Sequence, residues 1–126
     1  MTEPVVLVVE DNEKNLKLVR DVLEYAGFTV HVATTGEEAL ARARTTVPDL
    51  VLLDLQLPGI DGHATLSRLR DDPVTSHVPV VALTAFAMRD DREKAIAAGF
   101  DGYLEKPISV REFPDQVRAH LRSEKR

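Results

Sequence analysis

Short, almost wholly apolar runs alternate along the chain with longer stretches in which apolar residues recur every three or four positions. The short runs are Pro4–Val9, Phe28–Ala33, Leu50–Leu53, Val80–Leu83 and Gly102–Leu104, rich in β-branched and large apolar side chains. Three of them are apolar almost throughout, which suits strands buried on both faces of a parallel sheet. Helical patterns fill the intervals. In the first, Leu16, Val19, Leu23 and Ala26 share a face, and Gly27 stands where a helix C′ residue belongs. The second opens with Thr35 and Glu38, a capping-box pair, and offers Ala39, Leu40 and Ala43 to the core. The third starts near Gly62, faces Leu66 and Leu69 inward and stops before Pro73. The fourth, about residues 90–98, has the poorest apolar face, made of Ala95, Ile96 and flanking alanines. The last begins at Ser109, with Glu112 completing a capping box, and is expected to bury Val110, Phe113, Val117 and Leu121. Pro114 breaks that pattern: either the first turn after Ser109 is irregular, or the regular helix starts at about Pro114.

Five strand–helix units joined by short loops predict a right-handed, doubly wound α/β fold. The chain, 1–126, reads as a single domain with a core over about residues 4–122 and a short flexible tail. In such a sheet, functional residues gather beyond the carboxyl ends of the strands. Strand one ends in Glu10 and Asp11, strand three in Asp54, strand four in Thr84, and strand five leads into Lys106 and Pro107. Three carboxylates, a hydroxyl and an ammonium would then share one crevice. Two carboxylates about 4 Å apart repel by roughly 4 kcal/mol at an effective dielectric near 20, so the site needs a cation. Hard oxygen donors with room for water suit Mg²⁺. An ionised Asp54 could attack an incoming phosphorus, with Lys106 and the Thr84 hydroxyl sharing the charge of the transferred group.

Each residue has a plainer reading as well. Asp11, followed by Asn12, could cap the first helix. Glu10 could be a solvated strand end, Thr84 a β-former and Lys106 a surface lysine. Asp54 resists such a reading, because it closes the apolar run Leu50–Leu53 and a buried carboxylate without a partner is expensive. Their joint placement at the ends of crevice-facing strands favours the chemical reading. Composition narrows the field further. Hydrophobic residues make up 44% and charged residues 29%, the balance of a globular domain. The net charge is −5 and no run of Lys and Arg exceeds two residues, which argues against direct binding of nucleic acid. There are no cysteines, and no apolar run approaches a membrane span or follows a basic start as in a signal peptide. A cytoplasmic location is the default expectation. The four histidines, His31, His63, His77 and His120, show no ligand spacing.

The segments VVEDN (8–12), VLLDLQLPGIDG (51–62), VVALTAFAM (80–88) and GYLEKPIS (102–109) resemble a response-regulator receiver domain over essentially the whole chain. Among receivers the sequence is most similar to the DivK-like stand-alone regulators, sharing the EDNE-x-N start, the DLQLP turn and the KPISV stretch. The resemblance implies a flavodoxin-like, CheY-like three-layer sandwich with a five-stranded parallel sheet in the order 2-1-3-4-5 and five helices. It implies a two-component phosphorelay role, in which a histidine kinase or histidine phosphotransfer protein donates a phosphoryl group to Asp54. Mg²⁺ would be held by Asp11, Asp54 and the backbone carbonyl of Gln56, and by Glu10 through water. Glu10 replaces the commoner Asp of the family. Lys106 would pair with the phosphoryl oxygens, and its bond to Pro107 would be cis. Thr84 and Tyr103 would form the switch pair, the hydroxyl moving toward the phosphoryl group as the ring turns inward. The output face to a downstream protein would be helix four, strand five and helix five, with Met88, Arg89 and Arg111. The phosphodonor would dock near Asn15, Leu16, Val19 and the loop after Pro107. The chain would be a monomer or a weak phosphorylation-dependent dimer, a signalling domain whose only catalysis is its own phosphorylation and dephosphorylation. Gln56 and Phe86 would flank the path of a hydrolytic water, and Phe86 cannot position one, so slow-to-moderate self-dephosphorylation is expected.

Other classes fit less well. A haloacid-dehalogenase-like phosphohydrolase needs a second Asp where Gln56 stands. A flavodoxin-like electron carrier needs a phosphate loop after strand one, where Glu10-Asp-Asn-Glu13 would repel a phosphate. A DNA-binding regulator would need an output domain. Two variants of the receiver reading stand beside it: a phosphorylation-independent adaptor, and the detached receiver of a hybrid histidine kinase. Met1 just before strand one favours an independent protein.

Overall fold

The computed structural model describes residues 3–85 and 90–124, the last three by their backbone alone. Strands and helices alternate: β1 (Val5–Val9), α1 (Glu13–Tyr25), β2 (Thr29–Ala33), α2 (Gly36–Thr45), β3 (Leu50–Asp54), α3 (Gly62–Asp71), β4 (Val80–Thr84), α4 (Asp91–Ala98), β5 (Gly102–Glu105) and α5 (Phe113–Glu124). The strands form one parallel sheet in the order β2-β1-β3-β4-β5. The doubly wound, flavodoxin-like fold expected from the sequence is therefore the one observed. β3 and β4 are buried at every position, as their unbroken apolar runs require.

Helices cover both faces. On one side Val19 and Leu23 of α1 and Phe113, Val117 and Leu121 of α5 pack on Val6, Val8, Leu50, Leu52, Val81 and Leu83. On the other, Ala39 and Ala43 of α2, Leu66 and Leu69 of α3 and Ala95 of α4 meet Leu7, Val9, Val51, Leu53, Val80 and Ala82. Arg70 closes that second face at its edge. Its guanidinium donates to the carbonyls of Ser76, Val78 and Gly99 and to Asp101, whose Oδ2 also accepts from the Val80 amide at 2.7 Å.

Local signals behaved as their chemistry dictates, with four differences. The cap of α1 is Asn12, whose side chain accepts from the Asn15 amide at 3.1 Å, so Asp11 is not the cap. In α2 the Thr35 hydroxyl accepts from the Glu38 amide, but the Glu38 carboxylate closes on the Thr34 amide rather than on that of Thr35. Ile96, placed with Ala95 on the inner face of α4, is exposed; an eight-residue helix of four charged residues followed by three alanines and Ile96 buries Ala95 alone. Val110, expected in the core, is 61% exposed, because the regular helix starts one turn after Ser109. Ser109 still accepts from Phe113 and Glu112, forming the irregular turn that Pro114 demands, and Pro114 sits in the first turn of α5 where its missing N–H had no partner. Gly27 has the positive φ of a C′ residue after α1.

Candidate functional site

Strand pairing assembles the site. Val9 of β1 pairs with Leu53 of β3, Asp54 with Leu83 of β4, and Thr84 with Glu105 of β5. Glu10, Asp54, Thr84 and Lys106 therefore leave four neighbouring strands within two residues of the same level. This is the carboxyl edge, at the point between β1 and β3 where the chain reverses its direction of travel across the sheet.

Glu10 is 1% and Asp54 5% exposed, whereas Asp11 is open to solvent. One oxygen from each of these carboxylates lies within 4.8 Å of the other two. Lys106 enters from the far side and donates both to Glu10 Oε1 and, at 2.9 Å, to Asp54 Oδ2. Backbone amides fix the remaining oxygens: Asn12 donates to Glu10 Oε2 at 3.1 Å and Gln56 to Asp54 Oδ1 at 2.9 Å. The Asp54 carboxylate is thus held at both oxygens. The Lys106 backbone amide donates to the Thr84 carbonyl at 2.8 Å, and the Lys106–Pro107 peptide is cis, as the sequence led one to expect.

The electrostatics match this geometry. Burial raises the Glu10 pKa, and the neighbouring Asp54 adds to the rise, while the hydrogen bonds from Lys106 and the Asn12 amide work against it. Burial alone would lower the Lys106 pKa, but its hydrogen bonds to Glu10 and Asp54 outweigh it and raise the value. Three carboxylates thus face one firmly held ammonium. The cluster carries negative charge in excess, hard oxygen donors and an open side at Asp11, all of which suit a divalent cation such as Mg²⁺.

Thr84 is buried at the end of β4, beside this cluster in sequence register. Tyr103 lies with Phe100 and Ala95 in the core face under α4, so its ring already points inside. Its hydroxyl finds no hydrogen-bond partner among the described residues, and burial raises its pKa. Of the other expected positions, Arg111 is exposed, while Phe86, Met88 and Arg89 lie outside the described residues. Asn15 and Val19 border a crevice of about 40 Å³ that runs to Lys106, Pro107 and Ile108. Leu18 lines it too; Leu16, which the sequence placed there, packs instead on the α1–α5 core face.

One positioning residue was overlooked in the sequence. A Cβ on Gly62 would come within 2.7 Å of the Asp54 carbonyl oxygen and of Leu55 Cα, so only glycine lets α3 abut the chain at Asp54 and Leu55. Its hint was a glycine directly after the capping Asp61, whose side chain accepts from the Ala64 amide.

Comparison with known proteins agrees with the geometry. Residues 6–118 match the model of the response regulator receiver domain. The chain is 44% identical over 116 residues to the polar-differentiation response regulator DivK of Brucella ovis, covering 92% of this chain and 94% of that one. A putative response regulator from Chloroflexus aurantiacus superposes with a TM-score of 0.90 at 33% identity, over 96% of this chain and 99% of that one. The receiver domain of a sensor histidine kinase from Pseudomonas aeruginosa, solved with a magnesium ion coordinated in its active site cleft, superposes with a TM-score of 0.87 at 31% identity, covering 95% and 98%. Among the described residues no helix is long and apolar enough to cross a membrane. The chain belongs to the response-regulator receiver family, the CheY-like signalling domains of two-component systems, and within it is DivK-like.

Proposed function

We propose that this receiver accepts a phosphoryl group on Asp54 from the phosphohistidine of a histidine kinase or a histidine phosphotransfer protein. Asp11, Asp54 and the Gln56 backbone carbonyl would hold Mg²⁺ directly, with Glu10 reaching it through water. When bound, the ion supplies positive charge against the clustered carboxylates and the transferred oxygens. The residues themselves do the rest. A carboxylate oxygen of Asp54 forms the new bond to phosphorus as the bond from phosphorus to the donor imidazole nitrogen breaks. The electron pair of that bond stays on the imidazole, which takes up a proton. Lys106, already on Asp54 Oδ2, keeps a positive charge beside the entering oxygens, and the Gln56 amide keeps Asp54 Oδ1 in place.

The signal would leave through Thr84 and Tyr103 to the face built from α4, β5 and α5, including Arg111, and from there to a downstream protein. A phosphoryl group brings negative charge and three acceptor oxygens next to Thr84, enough to bias a two-state element. The donor would dock over the small crevice at Asn15, Val19 and Pro107, which opens toward Lys106. The whole five-stranded unit would work as one receiver domain.

The observation that carries this reading is the buried Asp54, held between the Lys106 ammonium and the Gln56 amide and clustered with Glu10 and Asp11. Intact mass after incubation with acetyl phosphate and Mg²⁺ tests it. The wild type should gain one phosphoryl group, and both Asp54→Ala and wild type in excess EDTA should gain none. Equal labelling of wild type and Asp54→Ala would overturn the assignment.

A further inference from the structure

We propose that Glu10 is the positioning residue for Lys106: it holds the ammonium across the crevice, over Asp54, while the phosphoryl group arrives. This role rests on the reading of Asp54 as the phosphoacceptor and adds a task for Glu10 beside any contact with a metal-bound water. Glu10 follows β1 and Lys106 follows β5, and β3 and β4 lie between those strands. Three strand spacings, roughly 14 Å, therefore separate β1 from β5. Two long side chains reaching toward each other close that span, and the Lys106 ammonium donates to Glu10 Oε1. The other oxygen, Oε2, accepts from the Asn12 amide, so the chain just after β1 aims the carboxylate. The pair is enclosed: the side chains of Glu10 and Lys106 are 1% and 13% exposed, while Asp11 is open to solvent.

The two acidic residues at the end of β1 thus divide the work. Asp11 stands on the open side, where a cation would enter, and Glu10 meets the lysine. When Asp54 bonds to phosphorus, its carboxylate loses part of the negative charge on which Lys106 rests. Glu10 changes no bond in that step, so its attraction for the ammonium persists and keeps Lys106 beside the entering oxygens. Aspartate, the commoner residue of the family at this position, would keep the charge but reach roughly 1 Å less far. A hydrogen bond stretched by that amount passes the usual limit of about 3.2 Å and is lost. Glutamate is therefore what brings the end of β1 into contact with the lysine after β5.

Glu10→Asp separates the two tasks, because it keeps a carboxylate for the cation and withdraws it from the lysine. In EDTA, without phosphodonor, an amine-acetylating reagent followed by peptide mass spectrometry reads the hold on Lys106. In the wild type Lys106 should label at least about tenfold more slowly than the exposed Lys14, and Glu10→Asp should remove most of that protection. Glu10→Gln, which keeps the length without the charge, should remove part of it. Far-UV circular dichroism checks that both variants are folded. With acetyl phosphate, the limiting rate of adduct formation at saturating Mg²⁺ should fall about tenfold or more in Glu10→Asp, as expected for one lost charge-assisted hydrogen bond. The Mg²⁺ concentration giving half that rate should stay within about threefold of wild type, whereas Asp11→Asn should raise it at least about tenfold. Lys106 labelling that neither variant changes overturns the proposal. So does a Glu10→Asp protein that keeps the wild-type limiting rate and differs only in its Mg²⁺ requirement, since Glu10 would then serve the cation alone. A wild type that gains no phosphoryl group overturns the acceptor reading and the transfer role with it, and the labelling contrast still decides whether Glu10 holds Lys106.

Discussion

Lys106→Met removes the charge that holds Glu10 and Asp54 together while leaving most of the aliphatic stem. Two buried carboxylates then face each other and Asp11 with no cation, and their repulsion at about 4 Å amounts to roughly 4 kcal/mol at an effective dielectric near 20. Glu10 has an escape, because it can take a proton. From its ordinary value of 4.5, protonation at neutral pH costs about 1.4 kcal/mol for each pH unit, or about 3 kcal/mol at pH 7, which caps the loss. Part of that cost is already present in the wild type, where burial raises the Glu10 pKa. The variant should therefore lose about 2–3 kcal/mol at pH 7 in EDTA. Its pH dependence follows from the same group. With the Glu10 pKa raised still further, the folded state holds a proton that the unfolded chain releases above about pH 4.5. Stability is therefore retained at low pH and lost as pH rises through the folded-state value, so the gap to wild type narrows as pH falls toward about 5. Millimolar Mg²⁺ should narrow it also, since a cation that binds only the folded state stabilises it. The chain has no tryptophan, so urea unfolding followed by far-UV circular dichroism is the assay. A loss below about 1 kcal/mol at pH 7, or a gap that stays constant between about pH 5 and pH 8, would refute the reasoning.

Gly62→Ala should destabilise by about 1–3 kcal/mol in urea despite the better helix former, because its Cβ meets backbone that cannot step aside; an unchanged midpoint would show that α3 can shift freely. His120, half-buried with its ring against the Gly102 backbone, has its pKa lowered by burial, with Arg92 adding and Asp101 opposing. The unfolded chain then binds a proton first, so stability should fall as pH drops below about 6.5, and His120→Gln should remove that component; parallel wild-type and variant curves would count against it. The phosphorylated protein should keep its phosphoryl group for minutes or longer without a partner, measured by the decay of the intact-mass adduct; a half-life of seconds would mean that a water is well positioned beside Gln56.

The fold was legible because a parallel sheet covered on both faces writes itself as unbroken apolar runs, and all five runs became strands within a residue of their expected ends. The crevice was legible for a related reason: Glu10, Asp54 and Thr84 are the first polar residues after such runs and Lys106 the second after the last, and parallel pairing brings run ends together. What stayed hidden depends on distance rather than on neighbours in sequence. Asp11 and Asn12 are equally good caps on paper, and only the path of the chain out of β1 assigns the cap to Asn12 and leaves Asp11 at the crevice. Val110 reads as a core residue until Pro114 delays the helix by a turn and turns it outward. The close approach of Gly62 to Asp54 has only a faint local sign, a glycine directly after the capping Asp61, and the inward Tyr103 ring, whose hydroxyl has no partner among the described residues, has none.

The two hydrogen bonds of the Lys106 ammonium span 96 and 52 residues of chain. The surroundings of Asp54 therefore come into existence only when the first, third and fifth strands are all in place. A chain still emerging from the ribosome carries Asp54 before it carries Lys106, and in that interval the carboxylate lacks the ammonium that holds it. Loss or melting of the last strand would likewise silence the protein rather than leave it partly active. Were Asp54 the phosphoacceptor, as proposed, only finished molecules could carry the message.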